Sequence, residues 1–443
     1  MELGRPSRPL RQADRDHRAR TLANPTAAGR RHRPDYWLVI LSLLMLSIGL
    51  IVVYSIGPAL AAAGKVSDNH YITRQLIAVL MSVIVFIVAA RVPLSWWRSM
   101  AKPLLVIAGI ATFIALITPL NPSYPAYRWV RLGSISFQSV ELLKFALLIA
   151  AAGFLADRAR TGELDNYQRT LKPLLIAVLG IGLVVAGPGA LHAQSDLGSM
   201  GVIVAMLTVM AFVVGVPMKR IVMFGGILAI AASLVILPSD YRRDRIATFM
   251  NPEADCQSTG YQACQALIAV GSGGLQGLGL GRSVQAYGYL PEASNDSIFA
   301  IYAEKFGFLG SVALLGILAA FFGRMKRIAE RAPDTFSRLL VVGVLTWLSV
   351  QAMVNIGAMI GLLPLKGITL PFISSGGTSV VFVAAAVGLV FQVSYYTAHR
   401  ATADAEQGTS GSTNNERNGY DNRRDGRRLR GAYHPNPGSR ARA

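Results

Sequence analysis

Charged residues are scarce in this chain of 443 residues. Asp, Glu, Lys and Arg make up 15% of the sequence, whereas hydrophobic residues make up 52% and the mean hydropathy is +0.43. Soluble domains usually carry about 25% charged residues, so this composition excludes an ordinary water-soluble fold. Several uncharged apolar runs are long enough to cross a hydrocarbon core of roughly 30 Å, where helices satisfy their own backbone polar groups. We therefore expect an all-α polytopic membrane protein.

Acidic residues are few relative to basic ones, with 24 Asp and Glu against 43 Lys and Arg and a net charge of +19. A basic chain is compatible with nucleic-acid binding. Here, however, arginines crowd two tails without apolar periodicity, residues 1–36 and 398–443, which we expect to be disordered. We attribute the charge to membrane topology and contact with anionic membrane lipids, with an acidic partner as the alternative, and expect no nucleic-acid partner.

Cysteine and histidine are also rare. The only two cysteines, Cys256 and Cys264, have no histidine between them and no second pair to complete a zinc site, so we predict no metal site of that kind. If this stretch faces an oxidising outer compartment, a local disulfide and two free thiols are both open alternatives. No histidine occurs between residues 193 and 398, which argues against a Ser-His triad at Ser374 or Ser375.

The apolar runs predict about ten transmembrane helices within a membrane domain of residues 37–397. The predicted spans are 37–56, 73–91, 102–119, 140–156, 172–188, 197–214, 220–237, 298–323, 337–360 and 376–397. An even count puts both termini on one side, and the Arg- and Lys-rich loops alternate onto that side, so both tails are expected to be cytoplasmic. The opposite loop 238–297, between helices 7 and 8, is by far the longest, which favours a functional extracytoplasmic loop.

A glycine-rich segment, residues 271–283, lies within this loop. It lacks the Lys-Ser/Thr pair of a P-loop and the strand–helix unit of a dinucleotide site. Its glycines permit either tight packing or the close approach of a ligand that carries a pyrophosphate group. Two carboxylates, Glu292 and Asp296, follow it. Asp296 directly precedes an apolar helical run, so it is either a helix N-cap or a functional carboxylate.

The 51 residues from Gly260 to Gly310, GYQACQALIAVGSGGLQGLGLGRSVQAYGYLPEASNDSIFAIYAEKFGFLG, resemble the signature region of the SEDS family, which includes FtsW, RodA and SpoVE. Further blocks in the family's order cover the chain between its tails: Arg128-Trp129, Gln138 to Lys144, Gln194 to Gly198, Arg242 to Pro252 and Gly361 to Ser379. The chain departs from the family pattern at Ser139, Ser195 and Lys305. The first two replace prolines at helix starts, and Lys305 replaces the second of two adjacent glutamates, which argues against a paired carboxylate there.

The resemblance implies that Asp296 is the catalytic aspartate of a polymerase acting on lipid II. One carboxylate can serve as the base that removes the proton of the attacking sugar hydroxyl. The leaving undecaprenyl pyrophosphate needs charge neutralisation rather than an acid. Candidate cations are Arg128, Arg131, Arg243, Arg245 and Lys366, with a divalent ion, Mg²⁺ or Mn²⁺, as a further possibility.

Three ionisable residues, Glu141, Lys144 and Asp196, fall within or beside apolar spans, where charges are costly and need partners. Glu141 and Lys144 stand three residues apart on one helix face and can pair with each other. The pattern leaves two readings open, a structural ion pair and a polar pocket that lines the substrate cavity.

The sequence thus favours an inverting peptidoglycan glycosyltransferase of the inner membrane, located at the division septum. Its long polar tails and the sequence of residues 279–283 are more similar to the FtsW type than to the RodA type, which acts in elongation. The resemblance implies as partners a class B penicillin-binding protein, an FtsI-like transpeptidase, together with other divisome proteins. The alternatives are a lipid II transporter, although no inverted repeat is apparent, and a scaffolding protein.

Overall fold

The computed structural model describes residues 33–64, 67, 69–117, 128–132, 135–187, 194, 196–238, 240–251, 256–258 and 260–397. The predicted disordered tails therefore lie almost entirely outside the described residues. Helices account for most of what is described. In chain order they are α1 Tyr36–Gly64, α2 His70–Arg91, α3 Leu94–Ser99, α4 Ala101–Ile117, α5 Ser139–Thr161, α6 Lys172–Ala186, α7 Leu197–Val214, α8 Met218–Ile236, α9 Asp240–Met250, α10 Tyr261–Ser272, α11 Ile298–Glu330, α12 Thr335–Met359 and α13 Gly377–Thr397.

Each of the ten predicted spans coincides with a helix. Within the described residues, nine helical segments are long and apolar enough to cross a membrane, and α6 counts among them together with the preceding π-helix Tyr167–Leu171. The tenth, α4, is apolar but has 17 residues. The expected polytopic helical membrane protein is therefore confirmed.

One described element departs from an all-helical fold. Strands β1, Trp129–Leu132, and β2, Ile135–Gln138, form an antiparallel hairpin in which Trp129 pairs with Gln138. The hairpin leads directly into α5, and the Ser139 N–H donates to the Arg128 carbonyl at 3.1 Å. This small sheet fixes the backbone of Arg128 at the start of α5.

Close helix contacts place α12 inside the bundle. A Cβ added at Gly343 of α12 would lie 2.3 Å from Leu148 of α5 and 2.8 Å from Met210 of α7. Gly388 of α13 lies equally close to α2, where an added Cβ would be 2.7 Å from the Phe86 carbonyl oxygen. Glycine at these positions lets helix backbones approach closely, as membrane helix interfaces commonly require.

The glycine-rich segment packs against a break in α11. Gly307 has φ 65° and ψ −164°, which interrupts the helix. Leu278 N–H and Gly279 N–H donate to the carbonyls of Glu304 and Lys305 at 2.9 and 3.0 Å. The structure therefore favours the packing interpretation of the glycine-rich segment, since its backbone N–H groups bind carbonyls of α11 that the break leaves without helical partners.

The loop predicted over residues 238–297 is partly helical and internally cross-linked. It contains α9 and α10, and a disulfide joins Cys256 to Cys264. Buried Glu304 accepts hydrogen bonds from the Ser283 hydroxyl, from Val284 N–H at 2.9 Å and from Gln285 N–H at 3.2 Å. Glu304 thus anchors the segment that leads to Asp296.

Candidate active site

Asp296 lies in a run of turns directly before α11. The helix begins at Ile298 with Ser297 at the N-cap position, so Asp296 lies one residue ahead of the cap. Its Oδ1 is buried without a hydrogen-bond partner among the described residues. An unpaired buried carboxylate oxygen is costly, and the N-cap reading does not account for it. The geometry favours a functional carboxylate.

The surroundings of Asp296 change its acidity. Burial, and then the nearby charge of Glu292, raise the pKa of Asp296 from 3.8 to about 7, against a smaller lowering by Arg245. Burial disfavours the ionised form of a carboxyl, and a second carboxylate adds to that effect. A base works best when its pKa is close to the ambient pH, so Asp296 is suited to take a proton near neutrality.

Arg128 faces Asp296 across Gly367. A Cβ placed on Gly367 would lie 3.7 Å from Asp296 Oδ2 and 3.9 Å from Arg128 Nη1. Any side chain at residue 367 would therefore fill the space beside the carboxylate and the guanidinium. The structure therefore places two of the predicted site residues, an ionisable carboxyl and a permanent cation, beside the same glycine.

The polar contacts of Arg128 hold it in place. Its Nε donates to the Gln194 carbonyl at 2.7 Å, and Gln194 Nε2 donates to the Ser139 hydroxyl at 2.7 Å. Ser139 N–H in turn donates to the Arg128 carbonyl. This ring of contacts links the hairpin, the start of α5 and the segment before α7, and it leaves Nη1 directed towards Gly367.

Arg245 reaches the same region from α9. Its Nη1 donates to the Leu365 carbonyl at 3.0 Å, and its charge acts on Asp296. Lys366 follows Leu365, and its Cβ lies 3.3 Å from the position of a Cβ built on Gly198 at the start of α7. Arg243 is exposed on α9, and residues two apart on a helix lie on different faces of it. The side chain of Arg131 lies outside those that the structure describes.

Glu141 and Lys144 form a buried ion pair inside the bundle, with Lys144 Nζ 2.8 Å from Glu141 Oε1. Lys144 also donates to Gln351 Oε1 at 3.3 Å and lies 5.0 Å from the centre of the Trp347 ring. Gln351 Nε2 donates to the Thr369 carbonyl at 2.9 Å. The pair is buried inside the bundle, and among the described residues a chain of hydrogen bonds links it through Gln351 of α12 to Thr369, in the segment that carries Lys366.

Asp196 and Glu292 have local structural partners. Asp196 is the N-cap of α7: its Oδ1 accepts from Ser199 N–H at 2.9 Å and its Oδ2 from the Ser199 hydroxyl at 2.8 Å. Glu292 is exposed, with φ 51°, and accepts from Asn295 Nδ2 at 2.6 Å. Its main effect on the site is the negative charge near Asp296.

Protein ligands for a metal ion are sparse. Among the described residues, no group of three or more His, Cys, Asp or Glu side chains could hold one. A hard divalent cation prefers several oxygen ligands. Asp296 could supply one carboxylate, and a pyrophosphate group would have to supply much of the remainder.

Two residues of the site were missed by the sequence reasoning. Asn355 Nδ2 donates to the carbonyls of Asp296 and Ile368, both at 2.7 Å. Gln351 Nε2 donates to the Thr369 carbonyl. They stand four residues apart in an apolar span, on one face of α12. Polar residues at that spacing inside a membrane helix were a signal that could have identified them.

This chain is similar to known proteins over most of its length. The FTSW_RODA_SPOVE family model, described as "Cell cycle protein", matches residues 36–399. Stage V sporulation protein E of Bacillus subtilis is 36% identical over 370 residues, covering 83% of this chain and 98% of that protein. A probable peptidoglycan glycosyltransferase FtsW of Coxiella burnetii is 34% identical over 369 residues, covering 82% and 96%.

Two solved structures have a similar fold. One comes from a study of structural coordination of polymerization and crosslinking by a peptidoglycan synthase complex. It has a TM-score of 0.66, with 25% identity over 83% of this chain and 99% of that one. The other is a crystal structure of the rod shape determining protein RodA of Thermus thermophilus, with a TM-score of 0.59, 25% identity and coverage of 83% and 98%.

Proposed function

Because this chain belongs to the FtsW/RodA/SpoVE family, we propose that it is a peptidoglycan glycosyltransferase that polymerises lipid II into glycan strands during cell division. The observation that carries the mechanism is the position of Asp296, a half-buried residue whose carboxyl pKa is raised to about 7 and whose Oδ2, like Arg128 Nη1, lies beside Gly367. Relatives over most of the chain carry the name probable peptidoglycan glycosyltransferase FtsW. Both lines of support point to the same chemistry.

In the proposed reaction, ionised Asp296 accepts the proton of an acceptor sugar hydroxyl as that oxygen attacks the anomeric carbon of lipid-linked donor. The bond from that carbon to the pyrophosphate oxygen breaks, and the electron pair leaves with undecaprenyl pyrophosphate. Attack opposite to the leaving group inverts the anomeric centre. In this proposal Arg128 and Arg245, together with Lys366 of the segment that Arg245 contacts, offset the charge that develops on the leaving group, which is a large contribution in a site sheltered from water.

The position of the site in the membrane is part of the proposal. Ion pairs such as Asp165–Arg220 and Asp35–Arg324 lie at the end of the bundle opposite Asp296, together with Lys172 and Lys219 at the starts of α6 and α8. Lys and Arg are enriched in cytoplasmic loops. Asp296 is therefore assigned to the outer face of the inner membrane, with both tails in the cytoplasm.

A transpeptidase partner fits this arrangement. A structural relative comes from a complex that coordinates polymerization and crosslinking. We propose a class B penicillin-binding protein of the FtsI type as the partner, acting with other divisome proteins at the septum. A tagged copy should concentrate at division sites, whereas uniform labelling of the lateral wall would instead indicate an elongation role.

The transporter alternative depends on charges inside the membrane. Alternating access requires such groups to bind substrate near the midplane, but Glu141 and Lys144 are bonded to each other and Asp196 caps α7. Vesicles containing the purified chain and fluorescent lipid II separate the functions. A polymerase lengthens glycan chains on the side where its site is exposed, whereas transport of lipid II without polymer formation would contradict the proposal.

A divalent cation is a hypothesis of its own. When bound, Mg²⁺ or Mn²⁺ would neutralise pyrophosphate oxygens beside Asp296. Polymerisation should then fall on addition of a chelator and return with either metal. Full activity in the chelator would show that Arg128, Arg245 and Lys366 are sufficient.

A further inference from the structure

Asn355 links the backbone at Asp296 to the backbone at Ile368. This side chain of α12 is 1% exposed. Its Nδ2 donates one hydrogen bond to the backbone carbonyl of Asp296 and one to that of Ile368, each at 2.7 Å. Both amide hydrogens are therefore used, and they join two segments that are 72 positions apart in sequence, from 296 to 368.

The two carbonyls flank the gap in which the reaction is proposed to occur. Gly367 directly precedes Ile368 and lies beside both Asp296 Oδ2 and Arg128 Nη1. The bond to Asp296 fixes the carboxylate side of this gap, and the bond to Ile368 fixes the side with Gly367 and Lys366. A shift of Asn355 would thus change the separation of the base from the cationic segment.

Packing alone does not account for an amide at this position. Asn355 Oδ1 is buried without a hydrogen-bond partner among the described residues, and an unpaired buried acceptor is unfavourable. An apolar side chain would avoid that cost but could not bind the two carbonyls. The balance of these effects indicates that the two hydrogen bonds are the reason for the asparagine.

A second link acts on the same pair of segments. The Ser374 hydroxyl donates to the Asn295 carbonyl at 2.6 Å and accepts from Leu370 N–H at 2.7 Å. Ser375 N–H donates to the Ser294 carbonyl at 2.8 Å. Asn355 differs from these two because it belongs to a bundle helix, so it ties both segments to the membrane domain.

We propose that Asn355 is a positioning residue for glycosyl transfer, which holds Asp296 and the segment 366–368 at a fixed separation. The inference rests on the proposed function. In this proposal α12 fixes the distance between the base, Asp296, and the cation Lys366, which offsets the charge of the leaving group. Misplacement of reacting groups by about 1 Å can cost on the order of 100-fold in rate.

The test compares Asn355→Ala with Thr346→Val. Thr346 is also buried on α12, and among the described residues its hydroxyl donates to the Val342 carbonyl one turn earlier, so the control loses a buried hydrogen bond within one helix. We expect kcat for lipid II polymerisation to fall about 100-fold in Asn355→Ala, with a smaller change in KM. Thr346→Val should keep the wild-type kcat.

A readout independent of activity completes the test. The infrared band of the Asp296 carboxyl, identified by difference against Asp296→Asn, should titrate near pH 7 in the wild type. In Asn355→Ala, its midpoint should move towards 3.8 because the freed segment exposes the carboxyl to water. A wild-type kcat and titration midpoint in folded Asn355→Ala would overturn the inference, as would an equal loss in Thr346→Val.

Further outcomes separate this inference from the proposed function. If the wild type polymerises lipid II and Asp296→Asn does not, an active Asn355→Ala rejects the positioning role alone. If the wild type is inactive, the infrared midpoint still decides whether Asn355 positions the carboxyl. Should Asn355→Ala fail to fold, Asn355→Ser keeps one donor, and its midpoint must shift in the same direction or the inference is wrong.

Discussion

At the scale of single residues, burial decides how each charge can act. Asp296 has a raised pKa and a buried oxygen without a hydrogen-bond partner among the described residues. Both carboxylate oxygens of Asp196, by contrast, accept hydrogen bonds from Ser199. The resemblance identified both residues, but the sequence could not tell their roles apart, since these depend on the local backbone. Asn355 was missed because its partners are carbonyls of Asp296 and Ile368, which no sequence pattern places beside it.

The acidity of Asp296 predicts the pH dependence of polymerisation. The base acts in its ionised form, and its pKa is raised to about 7, so kcat should be low at pH 5, rise through about 7 and level off above it. Steady-state rates with lipid II over this range give the measurement. A rate already at its plateau at pH 5 would contradict the assignment of Asp296 as base.

The ion pair between Glu141 and Lys144 predicts a stability effect. Lys144→Met leaves Glu141 charged, buried and without its cation, which typically costs about 3–5 kcal/mol. The double change Glu141→Gln with Lys144→Met removes both charges and should recover much of that loss. Melting temperatures of the purified variants in detergent test this. Equal melting of Lys144→Met and the wild type would show that the pair is not a structural requirement.

At the scale of elements, apolar run length predicted the bundle helices well, because a membrane helix needs a sustained uncharged sequence. The hairpin at residues 129–138 and the break at Gly307 were not predicted. Both depend on contacts between distant segments, such as the bonds of Leu278 and Gly279 to the carbonyls of α11. Helices α9 and α10 were likewise not predicted, since neither is long enough to resemble a transmembrane helix.

The packing of the glycine-rich segment predicts a difference between two glycines. Gly277 has φ 82°, and an added Cβ would lie 2.2 Å from the Lys305 carbonyl oxygen. Gly277→Ala should therefore lower stability by more than the roughly 1–2 kcal/mol of a left-handed residue alone. Gly281 has no heavy atom within 4 Å of its added Cβ, and Gly281→Ala should change stability by less than about 0.5 kcal/mol. Thermal melting of both variants tests this, and similar losses would contradict it.

The disulfide between Cys256 and Cys264 predicts that the segment between α9 and α10 is sensitive to reduction. Cys256 and Cys264 are separated by eight residues in sequence, and closing a loop of that size is worth roughly 2–3 kcal/mol in the chain-entropy model. Cys256→Ser with Cys264→Ser should increase proteolysis between α9 and α10. Limited proteolysis with mass spectrometry measures this, with the wild type under reducing conditions as the comparison. Unchanged cleavage in both would contradict a stabilising role.

At the scale of the whole molecule, one membrane domain carries the site. Residues from six places in the sequence meet near Asp296: the hairpin, the starts of α5 and α7, α9, α12, and the segment between α12 and α13. A site assembled in this way depends on the whole bundle. The fold class followed from composition alone, whereas the convergence of these segments required the structure.

The most direct test of the account is lipid II polymerisation by Asp296→Asn, with Asp244→Asn as the matched control. Asp244 is an exposed carboxylate of α9. Asp296→Asn should melt no lower than the wild type at pH 8, because the change removes a carboxylate whose ionised form is disfavoured by burial. We predict that folded Asp296→Asn forms no glycan strands while Asp244→Asn forms them at the wild-type rate. Polymerisation by Asp296→Asn at that rate would contradict it.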